Sequence, residues 1–150
     1  MKTRNVVLLV ILCTAVLLLI PGVIVVAVVV PKFAASRMAA SEIAALHEIR
    51  TIHSAQVQYF SQYGKYAATL AELGPPAGSQ AADLISKSLA SGEKDGYVFT
   101  LAATATGYTI NASPKVYNNN GRRSFYSDET LLIRQSWSQE PANASSPELK

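Results

Sequence analysis

Cysteine is nearly absent from this chain. Its one thiol, Cys13, excludes any internal disulfide, so the folded part must hold itself together by packing. Histidine is scarce too: His47 and His53 stand six residues apart and diverge by about 120° on a helix, poor geometry for a shared metal. Charged residues make up 15% of the chain, and the net charge of +3 is too small to suggest nucleic acid as the main partner. Glu42 and Glu48 repeat the histidine spacing and read as solvated or as paired with nearby basic residues. No nucleophile, base and orienting group stand together as a motif, so the chain reads as a non-enzyme with no cofactor and no metal.

Charge is missing altogether from Val6 to Val30, where Cys13 and Thr14 are the only polar side chains. As a helix this run extends about 37 Å, enough to cross a hydrocarbon core of about 30 Å with some tilt. It is longer than the apolar core of a signal peptide, and no A-x-A-like site closes it. Leu12 stands before Cys13 where a lipoprotein would want a small residue. The segment therefore reads as a retained span in contact with membrane lipid. Lys2 and Arg4 precede it, while Lys32, Arg37 and Arg50 follow, diluted by Glu42 and Glu48, so the charge balance leans towards a cytoplasmic amino terminus. Ala15, Gly22 and Ala27 are small enough for another helix to approach closely.

Beyond Pro31 the composition turns to alanine and other helix formers, and the pattern stays helical to Tyr63. Proline is tolerated in such a helix at the cost of a kink, so the expectation is a helix that bends at Pro31 and continues, with Pro21-Gly22 a second weak point. Ala39, Ile43, Leu46, Ile49, Val57 and Phe60 fall on one broad arc, with Arg50 and His53 within or beside it. Ile52, Tyr59 and Tyr63 lie opposite. Two apolar faces suit two partners, the chain's own domain and neighbouring subunits; one wide core-facing surface is the alternative.

Gly64 suits a left-handed helix cap. Thr69 to Leu73 reads as one short turn and Gly74-Pro75-Pro76 as a breaker, followed by a short helix over Ala81 to Leu89 that stops near Gly92. Strands are predicted at Tyr97 to Leu101, Tyr108 to Ile110, Ser124 to Ser127 and Leu131 to Arg134, with turns near Gly107 and at Asn118 to Gly121. From Ser136 onward the composition predicts a disordered tail with Trp137 as its one anchor. The fold class is thus α+β, a long amino-terminal helix on a small antiparallel sheet. Its organisation is a charged segment at 1–5, a span at 6–30, a soluble domain at 31–135 and a tail at 136–150.

Several stretches together resemble type IV pilins and type II secretion pseudopilins. Val28 to Phe33 is similar to that family's apolar run ending in Pro-Asn-Phe, followed by Ser36 to Glu42 and by Arg50-Thr51-Ile52. Tyr63-Gly64-Lys65-Tyr66 with Leu70 and Leu73 resembles the loop after the pilin helix, and Gly121 to Glu129, ending in Ile133-Arg134, resembles the closing hairpin. The resemblance implies a helix whose first half spans the bacterial inner membrane while its second half packs on a sheet in the periplasm. It makes Thr14, Pro21, Gly22, Pro31 and Phe33 assembly-helix positions, and its implied partners are other pilin-like subunits or secretion-machinery proteins. Aligned on Pro31, the glycine recognised by the prepilin peptidase falls on Leu9, the first mature residue on Val10 and the family's glutamate on Thr14. Neither signature residue is present. The resemblance therefore implies a subunit that stays in the membrane or joins a filament as a minor component. The rival is a single-span extracytoplasmic binding module that never polymerises.

Three weaker signals complete the reading. Asp128-Glu129 near Asn118 to Asn120 resembles the calcium loop of some pseudopilins, though polar turn residues are the commoner explanation. Arg122-Arg123 beside Phe125 and Tyr126 offers a weak site for DNA or another anionic polymer. Asn111-Ala112-Ser113 and Asn143-Ala144-Ser145 match glycosylation sequons, of little weight in a bacterial chain.

Overall fold

The computed structural model describes residues 30–76 and 82–150. The chain divides into two units, Met1–Ser36 and Arg37–Lys150. The predicted span, and with it Leu9, Val10, Thr14, Pro21 and Gly22, lies outside the described residues, as does the expected bend into it. Among the described residues no helix is long and apolar enough to cross a membrane.

Helix α1 runs Val30–Tyr63. Pro31 sits in its first described turn. The helix ends on Gly64, whose φ of +68° is easy only for glycine and whose N–H reaches the Phe60 carbonyl at 2.8 Å.

Two four-residue helices follow, α2 at Leu70–Leu73 and α3 at Lys87–Ala90. The helix predicted over Ala81 to Leu89 is therefore confined to its last turn. Residues 82–84 commit their backbone N–H groups to the carbonyls of Glu72, Gly74 and Leu73, and Asp83 takes a φ of +51°. Only after Ser86, whose hydroxyl accepts from the Leu89 N–H, does a helix begin.

The sheet is an antiparallel meander in the order β1-β2-β3-β4-β5. Its strands are Glu93–Lys94, Tyr97–Ala103, Tyr108–Pro114, Ser124–Asp128 and Arg134–Ser136. Burial alternates along β2 and β3, turning Tyr97, Phe99, Leu101, Tyr108, Ile110 and Ala112 to one side. Ala112 pairs across to both Phe99 and Phe125, so a small side chain leaves room for the two rings beside it. This face shares one core with Ala45, Ile49, Ile52, Ala55 and Tyr59 of α1. The α+β class is as expected.

Two carboxy-terminal expectations change. The last strand starts at Arg134 rather than Leu131, because Asp128 folds the chain back first: its carboxylate accepts from the Thr130 N–H and hydroxyl, and its carbonyl from the Leu131 N–H. Residues 136–150 are also not a loose tail. The Gln135 N–H donates to the Pro147 carbonyl and the Leu149 N–H to the Ile133 carbonyl, both beside β5. Ala142 is buried, and its N–H donates to the Ser124 hydroxyl at 2.9 Å.

Candidate functional site

The helix arc that faces the sheet carries four buried polar side chains, Glu42, Glu48, His53 and Gln56. Each holds a different part of the domain.

Glu42 grips the turn that leads into β4. One carboxylate oxygen accepts from the backbone N–H groups of Arg122 (2.8 Å) and Arg123 (3.3 Å), and the other from Arg123 Nε (2.8 Å). The Arg123 guanidinium also donates to Gln135 Oε1 and lies over the rings of Phe125 and Trp137, 5.5 and 5.1 Å from their centroids. Tyr97 donates its hydroxyl to the Arg123 carbonyl at 2.8 Å, and Gly121 comes so near the Tyr97 hydroxyl that a Cβ there would collide with it. Burial, then the neighbouring Glu42 charge, pushes the Tyr97 hydroxyl far above its usual pKa, so it stays a donor.

Glu48 accepts from Lys94 Nζ of β1 at 2.6 Å. Gln56 acts as a substitute strand for one residue: its Oε1 accepts from the Ala67 N–H at 2.9 Å, and its Nε2 donates to the Ala67 carbonyl at 3.0 Å.

His53 sits between two hydroxyls, with Nδ1 2.7 Å from Tyr108 Oη and Nε2 2.8 Å from Ser127 Oγ. Ser127 spends its own proton on the Leu132 carbonyl at 2.9 Å. The neutral ring must then donate from Nε2 to Ser127 and accept at Nδ1 from Tyr108, which gives one directed chain from β3 through α1 and β4 to the β4–β5 loop. Burial lowers the His53 pKa, with the Asp128 charge opposing. Burial likewise raises Tyr108 to about 12, with smaller contributions from Tyr66, Glu129 and Asp128.

Among the described residues every buried side-chain nitrogen and oxygen has a partner. This seam fastens α1 to the sheet and leaves the adjoining arc of the helix in solvent. Ile43 is 65% exposed and Val57 60%, while Phe60, nearer the end of the helix, packs its ring against Tyr66. Ile43 and Val57 lie four turns apart and within about 40° of each other around the axis.

The two apolar faces of α1 thus have different fates. Of the first predicted arc only Ile49 is fully buried, while Ile52 and Tyr59 from the opposite arc join the core. One core therefore draws on both arcs, with Leu46 and Ile49 from the first and Ile52 and Tyr59 from the second, while Ile43 and Val57 remain exposed. Glu42 and Glu48 are paired with basic residues as expected, but buried rather than solvated. Arg122 and Arg123 do not act together, since Arg123 is tied to Glu42 and Gln135 while the Arg122 side chain is exposed. Asp128 turns to Thr130, whereas Asn120 accepts from the Val116 N–H in a separate turn, so the calcium loop is not assembled. Among the described residues no three histidine, cysteine, aspartate or glutamate side chains are placed to hold a metal. Phe33 is 76% exposed. Gln56 was legible in principle, because it continues the spacing Ile49-Ile52-Tyr59, but its amide disguised a core position.

Comparison with protein-family models, with curated proteins and with solved structures gives no match to this chain.

Proposed function

We propose that the chain is a membrane-anchored, pilin-like or pseudopilin-like structural subunit associated with a type IV pilus or type II secretion machinery. In this reading Val6 to Val30 anchors it in a bacterial inner membrane, single-pass, with the folded domain in the periplasm. It acts through helix–helix packing, first with lipid and then with other pilin-like or secretion-machinery subunits. The observation that carries the reading is the two-sidedness of α1: polar clamps bind one arc to the sheet, while Ile43 and Val57 stay uncovered on the next. Ile43 and Val57 mark the two ends of a stripe about 21 Å long with Arg50 between them, and a partner helix laid along it would cover both. The charge-free run before Pro31 and the pilin-like stretches around it support the same role.

Membrane fractionation tests the anchor. The full-length chain is expected to resist extraction by salt and to yield to detergent. Its recovery in the soluble fraction would refute the proposal.

The missing glycine and glutamate at Leu9 and Thr14 favour a second reading, a single-span extracytoplasmic binding module of the same fold. Co-purification with sheared filaments would exclude it. An intact Met1 on amino-terminal sequencing favours it, and a mature end at Val10 argues against it.

A further inference from the structure

A cavity of about 430 Å³ opens where α1 meets the β4–β5 loop and the end of the chain. Its walls are Arg50, His53, Leu131, Leu132, Ile133 and Leu149. The size lies within the range of about 300–1,000 Å³ typical of small-molecule sites.

The chemistry of the lining narrows what would fit. Leu131 and Leu132 are 57% and 46% exposed, although apolar side chains of this size gain from cover. Leu131 is also held at a φ of +64°, a left-handed conformation that costs a residue with a large side chain. Two devices keep it there: the Asp128 turn before it, and the chain from His53 through Ser127 to the Leu132 carbonyl after it. The loop is thus fixed with its leucines presented to the opening.

The polar groups sort themselves clearly. Both His53 nitrogens are already engaged, by Tyr108 and Ser127. Glu148 also lines the cavity, and its carboxylate is partnered by the Arg134 guanidinium at 3.5 Å. Arg50 is exposed, and among the described residues its guanidinium makes no ion pair or hydrogen bond, its carbonyl alone accepting from Ser54. One uncommitted guanidinium at the mouth of an apolar hollow matches one carboxylate on an apolar body. Its planar fork meets both carboxylate oxygens, and a single cation suits a monoanion better than a doubly charged phosphate.

The geometry points to a binding site for an alkyl monocarboxylate, its carboxylate on Arg50 and its chain against Leu131, Leu132, Ile133 and Leu149. The ligand is a free acid rather than a segment of another protein, because the site offers one unpaired cation and a short apolar wall. It offers no free backbone ladder.

Equilibrium dialysis of labelled octanoate against the full-length chain in lipid nanodiscs tests this, with empty nanodiscs giving the membrane background. Saturable retention above that background is expected. Arg50→Gln and Leu132→Glu should each weaken it about tenfold or more, the first by removing the cation and the second by placing a like charge in the wall. Arg37→Gln, outside the cavity, should leave it unchanged, and n-octanol should bind about tenfold more weakly than octanoate. Circular dichroism spectra that match across the variants separate lost binding from lost folding. Retention no greater than in empty nanodiscs, equal binding of octanol, or undiminished binding by folded Arg50→Gln would overturn the assignment.

Discussion

Glu42 and Arg123 stand 81 residues apart in sequence, yet the glutamate carboxylate holds both the side chain and the backbone N–H of that arginine. The contact joins the front of the helix to the entry of β4. It also brings Phe125, Trp137 and Gln135 into one cluster around the guanidinium.

Removing the carboxylate leaves a largely buried arginine and two backbone donors without their acceptor. Glu42→Ala should destabilise the domain by about 3 kcal/mol, in the range for breaking one half of a buried pair. Glu42→Gln should cost less, since its amide oxygen can still accept from the turn. A double-mutant cycle with Arg123→Ala, read from denaturant midpoints, measures the coupling; additive effects would mean that the pair is not linked.

Gly121 lies against the Tyr97 ring and hydroxyl, and Tyr97 is 1% exposed with no room to withdraw. Gly121→Ala should cost about 2 kcal/mol through overcrowding. The same Gly121→Ala change should cost less in a Tyr97→Phe background, because the nearest clashing atom is then gone, although Tyr97→Phe has its own cost in the lost bond to the Arg123 carbonyl. Equal losses of melting temperature in the two backgrounds would contradict this account of the turn.

Gln56→Leu fills the same space but strands the N–H and C=O of Ala67, which is fully buried. A loss of about 2 kcal/mol is expected. Hydrogen exchange at the Ala67 amide should accelerate ahead of the sheet amides, and an unchanged rate would show that the amide clamp carries no weight.

His53 gives the domain a pH dependence of definite sign. Burial holds its pKa below the ordinary 6.5, so as pH falls the unfolded chain takes up a proton before the native ring does. Its contribution is complete above about pH 6.5 and is lost as pH drops through the folded pKa. Protonation also removes the acceptor that Nδ1 offers to Tyr108. Melting temperatures of wild type and His53→Gln, measured from pH 7.5 to 5.5, should converge on acidification; parallel curves would contradict the buried neutral ring.

Much of this architecture was legible locally. Gly64, Thr69 to Leu73, and the strand-like runs at Tyr97 to Leu101 and at Ser124 to Ser127 all act over a few residues, and the corresponding elements form where expected. The phase of α1 was not. Ile43, Val57 and Phe60 are as apolar as Ile49, Ile52 and Tyr59, so hydrophobicity alone does not choose between the two arcs. The choice is made by Glu42, His53 and Gln56, which are buried only because acceptors and donors arrive from distant residues. The tail was misread for a related reason. Residues 146–149 look like linker by composition, yet they are held by backbone pairing to residues 133–135, which composition does not report.

In the proposed function the Val6 to Val30 segment packs against other subunits. In vivo crosslinking from Thr14→Cys in a Cys13→Ala background reads that contact. The expected result is a disulfide or crosslinked product containing a second copy of the chain or another pilin-like subunit. Labelling by lipid-phase reagents alone, with no protein crosslink at any expression level, would contradict it.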